Sequence, residues 1–149
     1  MEWKEICISE LEAGKLFEDS GHRTRFQELL ECYSEYPFFS RGLCKCMYLS
    51  AWDEEHFTIM LETLNIMALG RENDTDDMKL QGDVVAEEMA DEHAYGDAYV
   101  FRLSGMFLEG KKGKPDGEER LSPEYQYIVR RALEAAEIID RACGEAEIK

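Results

Sequence analysis

Apolar residues recur at three- and four-residue intervals along most of this chain, the period that brings side chains onto one face of an α-helix. Phe26, Leu29, Leu30 and Tyr33 follow it, as do Phe57, Met60, Leu61, Leu64, Met67 and Ala68. Tyr125, Ile128, Val129, Ala132, Leu133, Ala136 and Ile139 repeat it. Strand signals are missing: no sustained alternation occurs, and no Asn-Gly or Asp-Gly turn separates β-branched runs. The three prolines, at positions 37, 115 and 123, each fall where a helix would stop or start. An all-α fold is therefore expected.

Helix ends can be placed from local chemistry. A first helix is expected over residues 2–18, broken at Asp19-Ser20-Gly21, and a second runs to about Tyr33. Pro37 closes that region, because the residue before a proline avoids the helical basin. Ser40 reads as the N-cap of a short third helix carrying Leu43, Met47 and Tyr48. Asp53 reads as the N-cap of a fourth, with Glu54 and Glu55 where the helix dipole favours anions. Gly70 sits where its C-terminal cap belongs. Thr75 is a second N-cap candidate. Residues 76–109 read either as one long helix or as two broken near Gly96. Residues 110–121 hold three glycines, a proline and dense charge, and read as an exposed, mobile loop. Ser122 and Pro123 announce the last helix, since proline at the first helical position loses no hydrogen bond. The architecture expected is an irregular bundle of five to seven helices in a single domain. The helix over 54–69, apolar on most sides, is expected at its centre.

Charge narrows the partners. The chain carries 33 acids and 17 bases, a formal net charge of -16. Residues 53–100 alone hold 14 acids and 2 bases, net -12, so most of the imbalance lies in the middle third. A field of this sign repels phosphate backbones and anionic lipid surfaces, which argues against direct binding to nucleic acid or membrane. It suits a protein partner with a basic face. No apolar run reaches the roughly 20 residues that span a bilayer. The start, Met1-Glu2-Trp3-Lys4-Glu5, lacks the basic and apolar regions of a secretion signal, so a cytoplasmic location is expected. The five cysteines then read as free thiols. Cys44 and Cys46, two apart on a helix, point about 200° apart and do not chelate one ion together.

Several groups of residues have spacings that suit chemistry. Glu28 and Glu31 lie three apart on the second helix, and Glu88 and Asp91 lie three apart on a later one. Each pair projects from one helical face, and two such pairs can hold Mg²⁺ or Mn²⁺ through oxygen ligands. The pattern resembles the E-x-x-E and E-x-x-D carboxylates of the all-helical nucleotide pyrophosphohydrolases, the MazG and dimeric dUTPase group. The resemblance covers these four residues, and Glu31 and Glu88 stand further apart than the family pattern allows. It implies magnesium held beside a nucleoside triphosphate. The bland reading is a solvated helix face. A second group is Asp53-x-x-His56 with His93 and Asp97. It falls short of a di-iron bundle, which needs two Glu-x-x-His motifs and two further Glu. His93 then reads as a hydrogen-bonded core residue. The aromatics Tyr33, Tyr36, Phe38, Phe39, Tyr48 and Trp52 read first as core packing and second as a contact surface. Asp74 to Gly82 fails as a calcium loop, because Lys79 stands where the glycine is required.

The reading that follows is a non-enzymatic acidic helical protein with a regulatory or adaptor role. The alternative is a divalent-metal enzyme using Glu28, Glu31, Glu88 and Asp91. A homodimer through the stripe of the last helix is also open, because packing within a chain and between copies leaves the same apolar pattern.

Overall fold

The computed structural model describes residues 2–69 and 92–149. Among them are six α-helices, no strand and one short 3₁₀ turn. They are α1 (Trp3–Ala13), α2 (Ser20–Tyr33), α3 (Arg41–Ser50), α4 (Glu54–Ala68), α5 (Glu92–Leu108) and α6 (Pro123–Glu145), with the 3₁₀ turn at Glu118–Arg120. The fold is an all-α bundle, as the periodicity predicts. The expectations that fall on Gly70, Thr75 and residues 76–91 lie outside the described residues.

Several helix ends follow the local chemistry. Asp19 caps α2 by accepting the His22 amide at 2.8 Å, and Ser40 caps α3 by accepting the Leu43 amide at 3.1 Å. Pro123 opens α6. The first helix is shorter than expected: it stops at Ala13, and Gly14 and Lys15 turn the chain before Leu16 enters the core.

The centre of the bundle is α3, not the helix over 54–69. Eight of the ten α3 residues are buried, and only Arg41 and Lys45 reach solvent. The reason is the size of its side chains. A Cβ on Gly42 would lie 2.4 Å from the Phe107 carbonyl oxygen, so only glycine lets α3 and α5 approach this closely. Cys44 turns towards Cys7 of α1 and Cys143 of α6, and its thiol is within hydrogen-bonding reach of both. Cys46 faces the other way and donates to the Ser104 carbonyl of α5 at 3.2 Å. Small residues on opposite sides let α3 be packed from all directions. In α4 only His56, Met60, Thr63 and Leu64 are buried, while Phe57, Ile59, Leu61 and Ile66 are half-exposed. The apolar stripe of α6 is buried within the chain, largely against α1 and α3.

The loop over 110–121 is exposed in its first half, and its second half is held from α5. The Tyr99 hydroxyl donates to the Pro115 carbonyl at 2.6 Å and the Tyr95 hydroxyl to the Gly117 carbonyl at 2.9 Å. Leu121 is buried beneath it. Among the described residues no helix is long and apolar enough to cross a membrane.

Candidate functional site

The densest set of buried polar groups surrounds His56, in the first turn of α4. His56 is the third residue after Asp53, where a capping aspartate would accept the backbone amide. Asp53 does stand at the N-cap, but its side chain makes no cap hydrogen bond. Its Oδ2 lies 2.6 Å from the His56 Nδ1 instead. On the other side of the ring, Nε2 lies 3.0 Å from Asp97 Oδ1 of α5. Tyr125 of α6 donates its hydroxyl to that same oxygen at 2.7 Å. Three helices are therefore linked through His56 and Asp97. Gly96 makes the last contact accessible: a Cβ there would lie 2.6 Å from the Tyr125 ring, so any larger residue would push the tyrosine away. Trp52 closes the site, its ring 5.3 Å from His56 and 5.5 Å from Tyr125, and Phe101 lies behind at 6.0 Å.

Two opposing effects set the charge of His56. The ring is only 3% exposed, and burial alone would lower its pKa. The Asp97 and Asp53 carboxylates together outweigh burial and raise it above 6.5. The positive end of the α4 dipole also disfavours a cation here, so the carboxylates must overcome that as well. Both ring nitrogens face an anion, and only a doubly protonated imidazolium can donate to both. The same burial, reinforced by Asp97, raises the Tyr125 phenol.

This arrangement limits the chemistry available to it. Each ring nitrogen has a carboxylate oxygen beside it, at 2.6 Å from Nδ1 and 3.0 Å from Nε2, and the first of these contacts has the geometry of a hydrogen bond. The site is a buried ionic clamp joining α4, α5 and α6.

The sequence-derived metal residues are placed as follows. Glu28 and Glu31 are exposed on α2, and Glu31 Oε1 accepts from Gln27 at 3.0 Å within the same helix. Glu88 and Asp91 lie outside the described residues, as does the side chain of His93. Among the described residues no group of three or more His, Cys, Asp or Glu is placed to hold a metal ion. Asp53, His56 and Asp97 do come together, but as a clamp rather than as ligands. Tyr125 and Trp52 were not anticipated at this site. Tyr125 carried only a place on the α6 stripe, which says that it is buried and not what its hydroxyl meets.

A second buried histidine, His22 in α2, has the opposite surroundings. Its Nδ1 accepts the Glu18 amide at 3.0 Å, and its Nε2 lies 2.8 Å from the Tyr48 carbonyl. Since Nδ1 is an acceptor, Nε2 carries the proton and donates, and the ring is neutral. Burial, with smaller contributions from the Arg25 and Arg131 guanidiniums, lowers its pKa to about 4, although the Tyr48 carbonyl works the other way.

Comparison of the chain with protein-family models, with curated proteins and with solved structures gave no match.

Proposed function

We propose that this chain is a non-enzymatic interaction protein that docks an acidic helical face onto a basic protein partner, and that it does so in the cytoplasm. One observation carries the reading: the outer side of α4 combines acid with exposed apolar surface. Glu55, Thr58, Glu62, Asn65 and Leu69 follow one another at helical spacing, and all are exposed. Leu69 is 72% exposed, the most of any large apolar residue described. Glu54 adds a further exposed carboxylate beside them. The stripe lies within residues 53–100, whose net charge of -12 supplies the long-range field. Such a field speeds encounter with a basic surface, and the apolar groups contribute to holding the complex once formed.

The test uses the full chain with Glu54, Glu55 and Glu62 all changed to Lys. A protein captured by the parent chain should be released by raised salt and should fail to bind the variant, with the circular dichroism of the two chains unchanged. Equal capture by parent and variant would refute this face as the binding surface.

A further inference from the structure

A cleft elsewhere among the described residues opens on the opposite chemistry. It lies between the start of α3, the end of α5 with the loop that follows, and the last turns of α6, and encloses about 890 Å³. Sites for small organic ligands fall in the range of roughly 300–1,000 Å³. Its floor is apolar, formed by Phe107 and Leu108 of α5 and Leu133 and Ala136 of α6. Its walls carry five basic and three acidic side chains, a local excess of positive charge in a protein of net charge -16.

The way those charges are paired decides which are available. Lys45 binds Asp140 at 2.8 Å, and Arg41 is held by the Ile148 carbonyl at 2.8 Å. Lys111 pairs with Glu109 at 3.0 Å. Lys112 and Lys149 make no ion pair among the described residues, and both are exposed at the rim. Gly110 and Gly113 bracket the two loop lysines with backbone angles of φ 72° and 89°, and all four residues line the cleft. Exposed charges further apart than about 8 Å are largely screened at physiological salt. Of the three acids that line the cleft, Glu109 and Asp140 are held by Lys111 and Lys45, so Lys112 and Lys149 face one further carboxylate there, Glu137 of α6, and leave the rim net positive.

We propose that this cleft binds a small organic anion with an apolar body, its anionic head against Lys112 and Lys149 and its body on Phe107, Leu108 and Leu133. A purely apolar ligand would leave the lysines unused, and a simple inorganic anion would leave the floor uncovered. The acidic protein surface outside the cleft selects against anions elsewhere on the molecule.

The experiment uses the full chain and anilinonaphthalene sulfonate, a fluorescent anion with a flat apolar body. Its fluorescence should rise on binding to the folded protein. Amide shifts in a nitrogen–proton spectrum should be confined to residues near 107–113, 133–140 and 149. The charge-reversed variant Lys112→Glu/Lys149→Glu, altered only at exposed positions, should bind about tenfold more weakly, as expected for the loss of charge-assisted contacts. Displacement by octanoate identifies a carboxylate head, and displacement by adenosine monophosphate identifies a phosphate head. Displacement by neither, equal binding by the variant, or shifts centred on other residues would overturn the proposal.

Discussion

His22 and His56 are the same residue at nearly the same depth, 1% and 3% exposed, yet their surroundings push them towards opposite charge states. His22 meets only backbone: the Glu18 amide on one nitrogen and the Tyr48 carbonyl on the other. One donor and one acceptor suit a neutral ring. His56 meets a carboxylate on each nitrogen, which suits a charged one. Burial favours the neutral ring at both sites. The difference is made by two aspartates, one three residues away in sequence and one from another helix. Burial by itself thus says little about a histidine's charge; the donor or acceptor character of what faces each nitrogen decides it.

The largest expected effect breaks the clamp. His56→Ala leaves Asp53 and Asp97 facing a space with no cation, and, with Asp53 partly screened by solvent, should cost about 3 kcal/mol at pH 7, the low end for a broken buried pair. Urea unfolding checks this.

Next comes the pH dependence, where the two histidines act with opposite sign. His22 falls from 6.5 in the unfolded chain to about 4 in the fold. The folded chain therefore resists the proton that the unfolded chain accepts. This site costs nothing above pH 6.5, and stability falls as pH drops towards 4, by an amount on the order of 3 kcal/mol. Thermal or urea unfolding from pH 7 to pH 4 should show that loss diminished in His22→Gln. His56 is raised, so its stabilisation is complete below pH 6.5 and fades as pH climbs through its folded-state value. The alkaline decline should be flatter in His56→Gln.

A smaller effect sharpens the account of how the clamp is assembled. Gly96→Ala pushes against the Tyr125 ring and should cost about 1–3 kcal/mol, the usual range for forced overpacking. The smallest is Tyr125→Phe, which removes one hydrogen bond to Asp97 and leaves the ion pair. A loss of about 1.5 kcal/mol is expected from unfolding curves.

Much of the fold was legible in the sequence, because helix periodicity and capping are local. Ser40, Asp19 and Pro123 mark the starts of their helices through residues within a turn of them. The hub was not legible. Residues 54–69 have the broader apolar pattern, but α3 takes the centre through Gly42, Cys44 and Cys46, whose value is smallness rather than hydrophobicity. The clamp was half legible. Asp53, His56 and Asp97 stood out as titratable residues, and the position of Asp53 as an N-cap was readable. The transfer of its carboxylate from backbone to imidazole was not, because it depends on Asp97 and Tyr125 arriving from helices far along the chain. The carboxylate pairs show the converse. Glu28 and Glu31 have the right spacing on α2, while Glu88 and Asp91, which would complete the set, lie outside the described residues.

The most direct test of the central claim is a nitrogen–proton NMR titration of the two imidazoles, assigned through His22→Gln and His56→Gln. The account predicts that His56 keeps its second proton to higher pH than a free imidazole, titrating above 6.5. It predicts that His22 remains a neutral ring with its proton on Nε2 until pH approaches 4. A neutral His56 at pH 6, or a His22 that titrates near 6.5, would contradict it.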